Sequence, residues 1–175
     1  MSWLILGRGG FGTELAELLT GTGLYQKVYF LDDGAPDCAG RLDDLERPDL
    51  RALCPDAFAA VGNNALRLDL LRRLREAGYN LPVFVHPRAF VCPSAQLGEG
   101  TVVLPLCWVG ARTVAGMGCI LNAGTSIDHD VVLGDGVHAA PGAIIKAGAK
   151  LESCAKADSG QVIRSPWELK TGGPR

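Results

Sequence analysis

The chain has 175 residues and a mass of 18.4 kDa, which suits one medium domain or two small ones. Its hydrophobic (47%) and charged (21%) fractions exclude a wholly disordered chain. The net charge of −2 does not suggest binding to nucleic acid, which usually requires a positively charged surface. No apolar run approaches the roughly 20 residues of a membrane span. The first residues lack the basic and apolar regions of a signal peptide, so we expect a cytoplasmic protein that binds neither nucleic acid nor membrane.

Glycine and cysteine usage narrows the class of protein further. The 23 glycines follow no triplet period, so they indicate turns or phosphate-binding loops rather than collagen. The six cysteines show none of the close pair spacings of a zinc or redox site. We therefore expect reduced cysteines that are small and buried.

Residues 1–84 alternate between strand-like and helix-like patterns. The predicted strands are four short apolar runs, at 3–6, 28–31, 57–61 and 81–85. The predicted helices, with apolar residues three and four apart, lie at 13–21 and 64–78. This order predicts a small parallel α/β sheet, a Rossmann-like domain.

A glycine-rich loop, Gly7-Arg8-Gly9-Gly10-Phe11-Gly12, separates the first strand from the first helix. Backbone N–H groups at such a helix start can bind phosphate oxygens. Asp32 lies where a dinucleotide-binding fold places its ribose-binding carboxylate, so the loop alone would fit NAD. About 84 residues hold only one mononucleotide half, which suits a single nucleoside diphosphate. A tight turn that packs helix against strand would leave the same signature.

Residues 85–156 repeat with a period of six. Every sixth residue from Val85 to Leu151 is aliphatic, and the residue four further on is small or β-branched. A strict six-residue spacing drifts around an α-helix but matches a parallel β-helix, in which three hexads close one coil. We expect about four coils, stacked at a strand spacing of about 4.8 Å. The hexads fade after Ala155, so residues 157–175 are interpreted as a C-terminal tail.

The whole pattern resembles the hexapeptide-repeat acyltransferases. It is most similar to the branch of sialic-acid O-acetyltransferases and of bacillosamine and perosamine N-acetyltransferases, which act on nucleotide-linked amino sugars or sialic acid. The matching segments are GRGGFG (7–12), LDD (31–33), VGNN (61–64), VHPRAFV (85–91) and ILNAGTSIDHDVVLGDGVHAAPGA (120–143). The resemblance implies a left-handed β-helix, a nucleotide-sugar-binding domain at 1–84, acetyl-CoA as co-substrate and no metal.

The resemblance also implies the site residues. His129 matches the catalytic histidine, a side chain whose pKa suits a general base, and Asp130 matches the following acid, usually Glu, which would orient the imidazole. The implied nucleotide-sugar contacts are Gly7, Gly9, Gly10, Gly12, Asp32, Asp33, Gly62, Asn63 and Asn122. The implied acetyl-CoA contacts are His138 and Gly142. Phe11 departs from the family, which often has a polar residue there.

Other interpretations of the three histidines stay open. His129 could also be an exposed histidine at a corner of the prism, without a catalytic function. For His138, an acetyl-CoA contact and the absence of any function are equally compatible with the sequence. His86 fits a structural residue where the two parts of the chain meet. Zinc held by three histidines occurs in γ-class carbonic anhydrases, which use the same prism. Here the three histidines occupy different hexad positions, which argues against a shared metal.

The resulting hypothesis is an acetyl-CoA-dependent N- or O-acetyltransferase of a nucleotide-linked amino sugar or related sugar, with direct transfer and His129 as general base. The alternative is a non-catalytic nucleotide-sugar-binding or scaffold protein, because coils that line the CoA groove look deleted between Leu151 and Val162. A homotrimer is expected, because apolar side chains on the outer faces would be buried between prisms. These side chains are Val102, Trp108, Val114, Ile120, Val132 and Ile144.

Overall fold

The structure is a computed structural model that describes residues 2–165. The chain divides into two compact units, Met1–Pro82 and Val83–Arg175. Within residues 2–165, no helix is both long enough and apolar enough to cross a membrane.

A three-stranded parallel sheet forms the centre of the N-terminal unit, with strand order β2-β1-β3. Its strands are β1 (Ser2–Leu6), β2 (Lys27–Leu31) and β3 (Asp56–Ala59). The helices are α1 (Gly10–Gly21), a 3₁₀-helix (Leu42–Glu46), α2 (Pro48–Leu53) and α3 (Asn64–Glu76). The middle strand β1 is buried from Trp3 to Leu6, because it is paired on both edges and covered by helices.

The predicted strand at 81–85 does not join this sheet. Asn80, just before this run, makes one parallel bridge to Asp56 of β3, and Leu81 is buried in the N-terminal unit. Phe84 and Val85 pair instead with Val102 and Val103, as the first strand of the C-terminal unit. The apolar run is therefore divided between the two units.

The C-terminal unit is a parallel β-helix made of two-residue strands. They are β4 (Phe84–Val85), β5 (Phe90–Val91), β6 (Gln96–Leu97), β7 (Val102–Val103), β8 (Trp108–Val109), β9 (Val114–Ala115), β10 (Ile120–Leu121), β11 (Ser126–Ile127), β12 (Val132–Leu133), β13 (His138–Ala139), β14 (Ile144–Ile145), β15 (Lys150–Leu151), β16 (Lys156–Ala157) and β17 (Val162–Ile163).

Each of these strands pairs with the strand three places along the chain. The first sheet has the order β16-β13-β10-β7-β4, the second β17-β14-β11-β8-β5 and the third β15-β12-β9-β6. Three strands therefore close one triangular coil, as the period of six predicts. The aliphatic hexad residues fill the interior, where Val103, Leu121 and Ile145 are fully buried. The predicted fold class is confirmed.

The corners of the prism share one backbone feature. In every hexad from 100 to 160, one residue adopts a left-handed φ, and most of these residues are glycine. The exceptions are Leu106, Arg112, Asp130 and Cys154. A non-glycine residue in this region costs about 1 kcal/mol, so these four corners need other interactions to hold them.

The repeats continue past Ala155, where the sequence analysis expected them to fade. Strands begin at Lys150, Lys156 and Val162, so the six-residue spacing continues without a break. Ala157 is fully buried and Ile163 packs against the core. The hexad pattern was harder to detect in this part of the sequence because Gln161 occupies a position where the repeat has a small or β-branched residue.

The outer faces differ from the expectation in one respect. Trp108, Val114, Val132 and Ile144 are exposed, but Val102 and Ile120 are buried within the chain itself. The apolar surface available to a partner is therefore concentrated on the second and third sheets.

Candidate functional site

His129 lies at the corner between β11 and β12, where its side chain remains 47% exposed. Its Nδ1 lies 2.6 Å from Oδ2 of Asp130, the next residue. We call this pair the corner dyad. The predicted contact between the two residues is present, although Asp130 is one methylene shorter than the family's usual Glu.

Arg112 contacts the corner dyad from the preceding coil. Its Nε donates to Oδ1 of Asp130 and its Nη2 to Oδ2, each at 2.7 Å. The guanidinium, followed by the His129 hydrogen bond, holds the pKa of the Asp130 carboxyl well below its usual range. The carboxylate is therefore ionised and can only accept, so His129 Nδ1 is the donor and Nε2 is free to take a proton.

A second carboxylate lies on the other side of His129. Oδ1 of Asp128 accepts the backbone N–H of His129 at 2.8 Å and lies 3.9 Å from Nε2. The sequence analysis named neither Asp128 nor Arg112. The contact of Arg112 could have been inferred from the repeat. Arg112 precedes Asp130 by 18 residues, which is one coil of three hexads, so the two residues are stacked on each other.

Gly110 lies directly under this corner. A β-carbon at Gly110 would lie 2.6 Å from the backbone carbon of Asp128 and from the nitrogen of His129. Two coils can therefore stack here only if this position has no side chain. The sequence analysis did not identify Gly110 either.

Asn122, His138 and Gly142 lie together in another part of the prism. Nδ2 of Asn122 is 3.5 Å from Nε2 of His138, and Oδ1 of Asn122 accepts the N–H of Ala123 at 2.7 Å. The N–H of Gly142 donates to the carbonyl of the same Ala123 at 3.0 Å.

These three residues do not share a corner with His129. Asn122 and Gly142 lie where the chain passes from the first sheet to the second, and His129 lies where it passes from the second to the third. One prism therefore presents the two groups of predicted site residues on two different edges.

The glycine loop of the N-terminal unit contains two kinds of glycine. Gly7 has a φ of 97°, and a β-carbon there would lie 3.0 Å from the carbonyl oxygen of Ala60. A β-carbon on Gly12 would overlap the carbonyl oxygen of Gly7. Gly9 and Gly10 have open space beside them and are exposed. The first pair is required by packing, and the second leaves the start of α1 accessible to a ligand.

Asp32 joins the glycine loop to the loop after β2. Its Oδ2 accepts the N–H of Arg8 at 2.7 Å, and its Oδ1 accepts those of Gly34 and Ala35 at 2.8 and 2.7 Å. These backbone hydrogen bonds lower the pKa of Asp32. The carboxylate thus shapes the loops, and its predicted contact with a ribose stays a prediction.

The other predicted nucleotide contacts also have structural partners. Oδ1 of Asp33 accepts the N–H of Leu42 at 3.1 Å. The side chain of Asn63 caps α3 by accepting the N–H of Leu66 at 3.0 Å, and Gly62 before it has open space. Since β1 and β3 are parallel neighbours, the glycine loop and the loop at Gly62 lie at the same edge of the sheet.

The remaining histidine belongs to a local turn. Nδ1 of His86 accepts the N–H of Arg88 at 3.1 Å, and burial followed by the charge of Arg88 lowers the pKa of His86. Among residues 2–165, no three His, Cys, Asp or Glu side chains are grouped so that they could hold a metal ion.

Comparisons with known proteins agree with both units. Residues 3–74 match the PglD N-terminal domain family. The chain is 35% identical over 107 residues to the UDP-N-acetylbacillosamine N-acetyltransferase of Bacillus subtilis, a match that covers 57% of this chain and 50% of that protein. The chain spans half or less of the length of the curated relatives it matches.

Two solved structures match nearly the whole chain. The acetyltransferase domain of PglB from Neisseria gonorrhoeae, also solved in complex with acetyl coenzyme A, superposes with a TM-score of 0.81 at 31% identity over 94% of this chain and 91% of that one. PerB from Caulobacter crescentus, in complex with CoA and GDP-perosamine, gives a TM-score of 0.78 at 27% identity over 94% and 89%.

The fold is thus the left-handed β-helix of these acetyltransferases, preceded by a small βαβ unit. This chain belongs to the hexapeptide-repeat acetyltransferases, in the branch that contains the bacillosamine and perosamine N-acetyltransferases.

Proposed function

We propose that this chain transfers the acetyl group of acetyl-CoA to an amine or hydroxyl of a nucleotide-linked amino sugar or related sugar, with His129 as general base. The observation that carries the proposal is the corner dyad. It presents an exposed imidazole whose Nδ1 hydrogen is held by an ionised carboxylate, in a chain of this family. Two relatives support this class of acceptor. One is named for acetylation of a UDP-linked amino sugar, and the other was solved with GDP-perosamine bound.

The transfer is direct. The acceptor N–H or O–H gives its proton to Nε2 of His129 while the acceptor atom attacks the thioester carbon. A C–N or C–O bond forms, the C–S bond breaks, and the departing sulfur takes the proton back from the imidazolium. An acyl-cysteine is not needed, and burial raises the pKa of Cys107 in the prism core to about 11, which makes that thiol a poor nucleophile.

Acetyl-CoA supplies the acyl group as a thioester. On this chain the polar groups suited to its carbonyl are the imidazole of His138 and the amide of Asn122. Nearby backbone N–H groups, such as those of Gly142 and Ala140, are already used within the prism. The non-catalytic alternative depends on a shortened CoA groove. We prefer the enzyme because the corner dyad is in place and β16 and β17 extend the prism as far as Ile163.

The nucleotide would bind the N-terminal unit. The exposed Gly9 and Gly10 at the start of α1 can turn backbone N–H groups toward a diphosphate. Gly62, Asn63 and Asp33 would line the same edge of the sheet. This assigns the nucleoside diphosphate to residues 1–84 and the acetyl transfer to the prism.

A homotrimer is part of the proposal. The two groups of site residues lie on different edges of one prism, so a complete site needs a second chain that brings the His138 edge to the His129 edge. Apolar side chains on the second sheet, Phe90, Trp108, Ile144 and Val162, are 40–52% exposed, which gives a surface for such packing. Three prisms around a three-fold axis would close the assembly.

Release of free CoA, measured with a thiol reagent over a panel of UDP- and GDP-linked amino sugars, tests the proposal. We expect turnover with at least one amino sugar and none when the sugar nucleotide is omitted. Binding of the sugar nucleotide without any CoA release across the panel would favour the scaffold alternative. A cytoplasmic location stays a prediction.

A further inference from the structure

Arg112 and Asp130 occupy the same corner of successive coils. They are 18 residues apart, and both adopt a left-handed φ, of 58° and 60°. Most other hexads place glycine there, so two left-handed corners with charged side chains are stacked at this one point. The contact between the two side chains can offset the cost of this backbone conformation.

The contact between them is a two-pronged ion pair. Both carboxylate oxygens of Asp130 accept from the guanidinium at 2.7 Å, and one of them also accepts from His129 at 2.6 Å. The backbone N–H of Arg112 donates in turn to Oγ of Ser94, one coil earlier, at 3.1 Å. Because a planar fork fixes a carboxylate in orientation as well as position, Asp130 has little freedom to rotate away from the imidazole.

We propose that Arg112 is a positioning residue of the acetyl transfer, which fixes Asp130 against His129 and shares the negative charge of that carboxylate. The inference rests on the proposed function, in which His129 is the base. Without the guanidinium, the Asp130 carboxylate could rotate away from Nδ1, and the imidazole would lose the contact that orients its Nε2.

Other charged groups lie near the corner dyad. Oδ1 of Asp128 is 3.9 Å from Nε2 of His129, and Lys146 follows β14, the strand that is stacked on β11. Because the side chains of the corner dyad and of Arg112 are partly exposed, solvent weakens the ion pair, and we expect a moderate effect when it is removed.

NMR of the histidine side chains in alkaline buffer tests the inference without any substrate. The His129 signals are assigned by their loss in His129→Ala, and the shifts of the two ring nitrogens report which one carries the hydrogen. The wild type should hold this hydrogen on Nδ1, facing Asp130. Arg112→Met should give a mixture of both tautomers, and Arg112→Lys, which keeps a charge but not the fork, a smaller change. If Arg112→Met does not fold, Arg112→Lys and Arg112→Gln carry the same comparison.

Arg88→Met is the matched control, because it removes the same charge at another corner of the prism. The backbone N–H of Arg88 donates to His86 and not to the corner dyad, so this variant should leave the tautomer of His129 unchanged. In the enzyme assay, Arg112→Met should lower kcat by about three- to tenfold with little change in KM.

The two proposals fail separately. A folded Arg112→Met protein whose His129 hydrogen stays on Nδ1 overturns the role of Arg112, even if the wild type is active. A changed tautomer in a protein that never releases CoA leaves the coupling of Arg112 to His129 standing and overturns the proposed function.

Discussion

Gly12, in the first turn of α1, packs against the carbonyl oxygen of Gly7 at the end of β1, with no room for a β-carbon between them. The helix and the strand are thereby held at the spacing that shapes the glycine loop. The last glycine of the motif is thus a packing residue, whether or not a nucleotide is bound.

Gly12→Ala should consequently destabilise the N-terminal unit. The added methyl group must displace backbone, which costs about 2 kcal/mol. Gly21→Ala is the matched control, because Gly21 ends the same helix with open space around it, and alanine there should raise stability slightly. Scanning calorimetry of the two variants decides the matter. Equal melting temperatures would show that the loop relaxes to accept a side chain.

His129→Ala should lower kcat by about 10²–10⁴ and leave the affinity for the sugar nucleotide nearly unchanged, because proton transfer is lost while the glycine loop is intact. Steady-state kinetics and calorimetric binding give the two numbers. His86→Ala should retain turnover. An equal loss of binding and of turnover in His129→Ala would assign that residue a structural role.

Gly9→Val should weaken binding of the sugar nucleotide without unfolding either unit. Gly9 has an ordinary negative φ and open space beside it, so valine fits the apo protein but blocks close approach of a phosphate. Titration calorimetry with a UDP- or GDP-amino sugar measures the effect, and circular dichroism checks the fold. Unchanged affinity would remove this loop from the binding site.

Asp130 should make stability depend on pH in acid. Its pKa is lower in the folded chain, mainly because of Arg112, than in the unfolded chain, where about 3.9 is usual. Its contribution is therefore complete above about pH 4 and is lost as the pH falls toward the folded value. Denaturant unfolding of wild type and Asp130→Asn at pH 7 and pH 3 should show a smaller decline in the variant. Parallel declines would contradict the ion pair.

Trp108→Glu should dissociate the proposed trimer and abolish activity with it. Light scattering of the wild type should give about 55 kDa, three times the chain mass of 18.4 kDa. Leu24→Glu, a change at an exposed apolar residue of the N-terminal unit, should leave the mass unchanged. A monodisperse and active wild-type monomer would refute both the assembly and the shared site.

The hexad pattern predicted the prism well because one period decides which side chain faces inward. The corner dyad came from the resemblance to the acetyltransferases and not from the hexad pattern, and its contact could be expected because His129 and Asp130 are adjacent in sequence. Contacts between coils were missed, since Arg112 and Gly110 meet residues 128–130 only after the chain has turned once around the prism.

The N-terminal unit shows a different limit. The spacing of Asp32 from the glycine loop is the same for a ribose ligand and for a carboxylate that binds loop backbone, so the sequence could not tell the two apart. Arg67, a charged residue of α3, is fully buried and donates to the carbonyl of Val61 and to the side chain of Asn64. The spacing of apolar residues predicts which side of a helix is buried. It does not predict that a charged side chain on that helix is buried by hydrogen bonds to residues at the helix start.

The stacking of Arg112 under Asp130 limits how the length of this chain can change. An insertion or deletion of six residues between them would carry the arginine to a neighbouring edge and separate it from the carboxylate. A change of 18 residues, one full coil, placed before Arg112 or after Asp130 leaves their separation intact. Near this corner, then, the prism tolerates growth or loss only in whole turns, and only outside the segment that links the arginine to its acid.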